Sequence, residues 1–189
     1  MEALGRRIVV IGTTGSGKTT MGARLAELLG ISHVELDSLF WEPNWVECPT
    51  DIFRDRVSQA TSGDAWVVDG NYGKARDIIW SDADTAVWLD YALPVILYQL
   101  TRRSAYRIGQ RVELWNGNRD TLRATFSRDS LFVWAFRTYR RRRFEYPEHF
   151  GRPEYAHLSV IHLRSPGQAR RWLTGVTTEL TSPDAAVRS

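Results

Sequence analysis

The chain contains one cysteine, Cys48, among 189 residues, so neither an internal disulfide framework nor a cysteine-based zinc site can be assembled from it. Cys48 reads as a small apolar filler. Lysine is almost as scarce: Lys18 and Lys74 are the only two, and the other 23 of the 25 basic residues are arginine. Long apolar runs are missing as well. The longest, Ile8 to Ile11 and Leu131 to Phe136, fall far short of the roughly 20 residues that a membrane-spanning helix needs. The N-terminus offers Arg6-Arg7 and four apolar residues but no small-residue cleavage site, so a secretory leader is not expected and a cytoplasmic location is. Hydrophobic residues make up 43% and charged residues 25%, close to the globular average, which excludes extensive disorder and collagen-like repeats. The length suits one folded domain, expected over residues 1–180, with a frayed tail over 181–189.

Charge is informative by position. Between Arg102 and Arg143 lie 12 arginines against Glu113, Asp120 and Asp129, a local balance of +9 in a chain whose net charge is +3. Such a segment needs an anionic partner or open solvent, and phosphate is the anion that the planar guanidinium fork suits best.

The residues that carry chemistry come early. Arg6 to Ile11 reads as a buried parallel strand because its apolar run does not alternate. Gly12-Thr13-Thr14-Gly15-Ser16-Gly17-Lys18-Thr19 follows at once and satisfies the phosphate-loop spacing of glycine, four residues, glycine, lysine and threonine. Glycines let the backbone N–H groups approach phosphate oxygens, and the helix expected over Thr19 to Leu29 turns its positive end towards them. In this pattern Lys18 reaches the β and γ phosphates and the Thr19 hydroxyl ligates Mg²⁺, with Gly12, Gly15, Ser16, Gly17 and Thr20 completing the cradle for ATP.

The rest of the chain alternates strand and helix. Strands are expected at His33 to Leu36, Ala65 to Val68, Thr85 to Asp90 and Leu158 to Leu163. Helices are expected at Asp51 to Ala60, at Leu93 to Arg107 and from Gln168 onward. The first of these has Thr50 as its N-cap and an apolar face of Ile52, Phe53, Val57 and Ala60. A further long helix, Thr121 to Arg143, is expected to pack through Leu122, Phe126, Leu131, Trp134, Ala135 and Phe136. It would end on Arg140 to Arg143, charges favourable at a helix C-terminus. Two acids fall at strand ends, where ligands bind in open α/β sheets: Asp37, suited to a ligand contact, and Asp69, suited to Mg²⁺ or to a local turn or helix cap. Trp41 and Trp45 flank a proline-containing turn and suit either core packing or substrate contact. Arg102, Arg103, Arg107 and Arg111 recur near helical spacing, and Trp115-Asn116-Gly117-Asn118 reads as a loop, together suggesting a mobile, arginine-bearing flap. His33 reads as structural.

With these motifs in this order, the chain resembles the P-loop kinases of the nucleoside-monophosphate-kinase-like group, to which adenylate and shikimate kinases belong. Leu36-Asp37-Ser38-Leu39-Phe40-Trp41, Trp66-Val67-Val68-Asp69-Gly70-Asn71-Tyr72, Leu114 to Asn118 and Leu163-Arg164-Ser165-Pro166 resemble more narrowly the adenylate-kinase-related branch labelled DNA topology modulation proteins. The likeness spans roughly residues 6 to 174. It implies an α/β P-loop fold: a five-stranded parallel sheet in the order 2-3-1-4-5, flanked by helices, with a helical arginine-rich lid. It implies ATP and Mg²⁺ as cofactors, lid arginines at Arg103, Arg107 and Arg111, and an adenine-contacting segment beginning at Arg164. Asp69-Gly70 resembles the start of the adenylate kinase acceptor motif, but Asn71-Tyr72 replaces its aromatic-Pro-Arg continuation, and Arg76 is the candidate for the missing arginine. Asp37 resembles the strand-two acid that shikimate kinases direct at a hydroxyl substrate.

The expectation is therefore a phosphotransferase that moves the γ-phosphate of ATP to a nucleotide or small hydroxylated acceptor, held by Asp37, Trp41, Asp69, Gly70 and Arg76. Two alternatives stay open on sequence alone: a nucleotide-dependent nucleic-acid-binding protein, from the basic segment with its interleaved aromatics, and a non-catalytic ATP-binding switch.

Overall fold

The computed structural model describes residues 4–110, 112–119 and 131–181. Five parallel strands form one sheet: β1 (Arg7–Gly12), β2 (Ser32–Glu35), β5 (Trp66–Asp69), β6 (Thr85–Leu89) and β7 (Ser159–Leu163). Their spatial order is β2-β5-β1-β6-β7. Counting only strands of this sheet, that is the expected 2-3-1-4-5. The labels β3 (Trp41–Glu42) and β4 (Val46–Glu47) belong to a separate two-stranded antiparallel ribbon, where sequence patterning showed only a loop.

The central strand β1 explains why helices cover both faces. Its side chains alternate in direction, and both sets are buried. Val9 and Ile11 pack with Val68, Phe53, Val57 and Trp80 on one side. Ile8 and Val10 pack with Leu25, Ile96, Leu100 and Ala169 on the other. The first face is covered by α2 (Leu36–Phe40), α3 (Thr50–Ala60) and α4 (Arg76–Asp82), the second by α1 (Lys18–Leu29), α5 (Leu93–Gly109) and α7 (Pro166–Thr181). Helix α6 (Leu131–Phe150) feeds both, Ala135 into one cluster and Tyr146 into the other. Each fully buried aliphatic side chain contributes about 1.5–3 kcal/mol. Among the described residues no helix is long and apolar enough to cross a membrane.

Several local expectations are corrected. Thr50 lies inside α3, whose N-cap is Pro49 with no side-chain cap. Ile52 is exposed while Phe53 and Val57 are fully buried, so the buried face is narrower than the apolar pattern. The arginine run does not end a helix: α6 continues through it to Phe150, and among its described side chains Ala135, Thr138, Arg142 and Tyr146 are buried. Trp134 and Phe136, expected in the core, are exposed. Leu122, Phe126, the side chain of Leu131 and the helix start at Thr121 lie outside what is described.

Candidate active site

The bend between β1 and α1 carries the phosphate loop. Lys18 opens α1, and its ammonium donates to the Thr13 carbonyl at 3.5 Å. Burial, reinforced by Arg142, pushes its pKa down to about 8, against the pull of Asp69 and Asp37. Ser16 Oγ is buried and without a hydrogen bond. An enclosed ammonium and an orphaned hydroxyl on a glycine-rich bend fit an anion with several oxygens, which satisfies both. The loop also packs tightly on α5: a Cβ at Gly15 would lie 3.2 Å from both the Ile96 carbonyl oxygen and Leu100 Cβ.

Beside the loop, Thr19 Oγ1 donates to Asp69 Oδ1 at 3.0 Å. Asp69 ends β5 and is buried. Its other oxygen meets His33 Nε2 at 2.8 Å, so His33, on β2, does have a partner at the site, one that its neighbours in sequence do not reveal. This contact needs the absence of a side chain in α1, because a Cβ at Gly22 would stand 2.6 Å from His33 Nε2. A hydroxyl and a carboxylate side by side are a fitting donor set for Mg²⁺, which takes one or two protein oxygens and completes its shell with phosphate and water. Among the described residues no cluster of three or more His, Cys, Asp or Glu could hold a metal by itself.

Asp37 lies in the first turn of α2, just past β2. Tyr72 donates its phenol to Asp37 Oδ1 at 2.5 Å, and burial, with the Asp37 charge, pushes that phenol far above its ordinary pKa. Glu35 accepts from Trp115 Nε1 at 3.1 Å, and burial raises its carboxyl pKa, with Asp69 adding to the shift. Alongside runs a narrow cleft lined by Gly70, Asn71, Tyr72, Arg76, Trp80 and Tyr146. Arg76 lies 5.4 Å from the Trp80 ring centroid and donates to His149 Nε2 at 2.5 Å. His149 must be neutral to accept that bond, and burial, followed by the Arg76 charge, holds its pKa down.

The main residue that sequence reasoning missed is Arg142. It is 8% exposed, donates through Nη1 to the Gly12 carbonyl at 3.3 Å, and is near enough to depress the Lys18 pKa. The available signal was helical spacing, since 135, 138, 142 and 146 fall on one face. The neighbouring arginines diverge: Arg143 pairs with Asp90 at 2.5 Å and Arg141 with Glu145 at 3.2 Å. The run thus fans around the helix instead of forming one basic stripe.

The expected lid arginines separate. Arg103, on α5, is close enough to act on the Lys18 ammonium. Arg107 lies 6.0 Å from the Trp115 ring centroid. Arg111 falls outside the described residues. The loop expected to be a free flap is stitched to the β3–β4 ribbon. Asn116 Nδ2 donates to the Trp41 carbonyl at 2.6 Å, Asn118 Nδ2 to the Glu42 carbonyl at 2.9 Å, and the Trp45 N–H to Asn118 Oδ1 at 2.9 Å. Trp41 is half-buried there, edge-on to Trp45. Thr20 is exposed on the first turn of α1, and Arg164 is exposed beyond β7, two strands from β1, with its N–H donating to Gln168 Oε1 at 2.8 Å. Lys18, Thr19, Asp69, Asp37 and Arg103 therefore gather around the loop, Gly70 and Arg76 line the adjoining cleft, and Arg107, Trp41 and Arg164 stand at its margins.

Comparison with known proteins gives the same architecture. No family model matches the chain. A shikimate kinase of Parabacteroides distasonis is 36% identical over 55 residues, 29% of this chain, so the match spans about a third (31%) of that relative's length. A shikimate kinase from Acinetobacter baumannii, solved in complex with shikimate, superposes with a TM-score of 0.54 at 19% identity, covering 94% of this chain and 93% of its own. A gluconokinase from Sinorhizobium meliloti 1021 gives 0.53 at 17% identity, covering 100% and 99%. The chain has the α/β fold of these P-loop kinases.

Proposed function

We propose that this protein is an ATP- and Mg²⁺-dependent phosphotransferase acting on a small hydroxylated acceptor. The observation that carries the proposal is the convergence, at the carboxyl ends of β1, β2 and β5, of an enclosed ammonium (Lys18), a hydroxyl–carboxylate pair (Thr19 and Asp69) and a second carboxylate (Asp37). The shikimate kinase and gluconokinase neighbours support a small hydroxylated acceptor over a nucleotide, as does the loss of the aromatic-Pro-Arg continuation after Gly70.

Phosphoryl transfer asks the protein for placement and charge neutralisation. Lys18, with Arg142 and Arg103 behind it, offsets negative charge on the transferring group. Thr19 and Asp69 would hold Mg²⁺, which would supply positive charge against the phosphate groups. Tyr72 occupies one oxygen of Asp37 and leaves Oδ2 to accept the acceptor's hydroxyl proton as its oxygen bonds to the γ-phosphorus and the bond to ADP breaks. Arg76, supported on neutral partners, gives the cleft a positive end for an anionic substituent. The cleft is narrow, so Tyr72 and Arg76 must yield for the acceptor to enter.

The test is a screen of purified protein with γ-labelled ATP and Mg²⁺ against sugar acids, cyclic hydroxy acids, polyols, nucleosides and nucleoside monophosphates. Label is expected on a small hydroxylated compound. Labelling confined to nucleoside monophosphates would overturn the acceptor class, and absence of ATP binding would overturn the whole proposal.

A further inference from the structure

We infer that Asn71 is a positioning residue for the phosphate loop, holding the Gly12 peptide in the orientation from which the loop departs. The inference deepens the proposed function and rests on it. Strands β1 and β5 pair in parallel up to Val10 opposite Asp69, and the Gly70 N–H still reaches the Val10 carbonyl at 3.4 Å. There the β5 main chain turns away: Gly70 has φ 141°, and a Cβ on it would stand 2.8 Å from that of Leu36. Gly12, the last residue of β1, would lose its neighbour on that edge. The Asn71 side chain supplies one. The Gly12 N–H donates to Asn71 Oδ1 at 3.2 Å and Asn71 Nδ2 donates to the Gly12 carbonyl at 2.5 Å. A carboxamide carries the same donor and acceptor as a peptide, so it stands in for one more rung of the ladder.

The surrounding bonds fix which way the amide faces. Tyr146, from α6, donates its hydroxyl to Asn71 Oδ1 at 2.9 Å, so this oxygen receives two donors. Rotating the amide by half a turn would set Nδ2 against the Gly12 N–H and the Tyr146 O–H. The Gly12 carbonyl receives Arg142 as well. On its other edge Gly12 pairs with Leu89 of β6, whose carbonyl oxygen leaves no room for a side chain there, 2.5 Å from where a Gly12 Cβ would be. The peptide is thereby clamped from both sides. Its orientation matters because a turned Gly12 carbonyl would present a negative dipole to a triphosphate and withdraw the anchor that holds Arg142 beside Lys18.

Isothermal titration with Mg·ADP, together with a thermal melt, tests the role in the parent and in Asn71→Ala, Asn71→Asp and Tyr146→Phe. Asn71→Asp keeps the acceptor but sets a charged oxygen against the Gly12 carbonyl, and a loss of about 100-fold in affinity is expected. Asn71→Ala is expected to lose about tenfold and Tyr146→Phe about threefold, with no further loss when Tyr146→Phe is added to Asn71→Ala. Val57→Ala, a core change on α3, serves as a stability-matched control that lowers the melting temperature yet keeps affinity within twofold. Folded Asn71→Ala binding Mg·ADP as the parent does would overturn the inference, and so would affinity falling in step with melting temperature across all variants including the control. If Asn71→Ala does not fold, Tyr146→Phe decides, and unchanged affinity there overturns it. A parent that fails to bind Mg·ADP overturns the phosphotransferase proposal and this inference with it.

Discussion

Lys18 and Arg142 are both cations set beside the phosphate loop, and the chain delivers them by opposite routes. Lys18 belongs to eight consecutive residues whose spacing alone implies its task, and its hydrogen bond goes to the backbone of that same loop, at the Thr13 carbonyl. Arg142 comes from 130 residues away, on a helix that must dock before the side chain has anything to touch. The first kind of site is local and carries its own signature. The second exists only in the folded molecule, and its members resemble ordinary surface residues until a helix face is assigned to them.

Substitutions can sharpen that contrast. Lys18→Ala removes the point charge on the transferring group and should lower phosphoryl transfer by about 10³-fold or more, measured as label moved to the acceptor found in the screen. Arg142→Met should cost about 10²-fold in the same assay. It should also leave the melting temperature unchanged or raise it, since replacing an enclosed charge whose partner among the described residues is a carbonyl with an apolar side chain of similar length relieves a desolvation penalty. A melting temperature several degrees lower with normal transfer would make Arg142 a structural residue. Asp37→Asn should reduce kcat by about 10–10²-fold while Mg·ADP affinity stays within twofold, if the carboxylate acts on the acceptor and not on the nucleotide as proposed.

The smallest effect is a proton. With the Lys18 pKa at about 8 in the free protein, phosphate oxygens restore its charge, so nucleotide binding near pH 8 takes up about half a proton. Calorimetry in two buffers of different ionisation enthalpy measures this, and the uptake should vanish in Lys18→Ala. The same depression makes the unfolded chain bind more protons than the folded one between pH 8 and its ordinary value of 10.5. Stability relative to Lys18→Ala therefore rises with pH across that window.

How much could be read without coordinates follows the same division. The five strands and the loop were legible because a non-alternating apolar run, a glycine-rich bend and an amphipathic helix are all short-range signals, whereas the strand order followed only from the resemblance to P-loop kinases. The ends of α6 were not. Arg140 to Arg143 satisfied a rule about helix termini, and that rule was outweighed by tertiary packing of Arg142 and Tyr146 on the far side of the helix. The polar stitching of Asn116 and Asn118 to the β3–β4 ribbon was equally hidden, since each bond joins residues more than 70 positions apart. His33, which reads as structural from sequence, meets Asp69 only through the parallel pairing of β2 with β5.

Gly22 shows how this arrangement limits what can be changed. A glycine within a helix is ordinarily an invitation to stabilise: alanine there is worth about 1 kcal/mol in backbone propensity. In α1 the same replacement would drive a methyl group into the imidazole that steadies Asp69. An engineer seeking a hardier protein by the usual consensus of good helix formers would strengthen the rod and spoil the proposed metal seat it leans on.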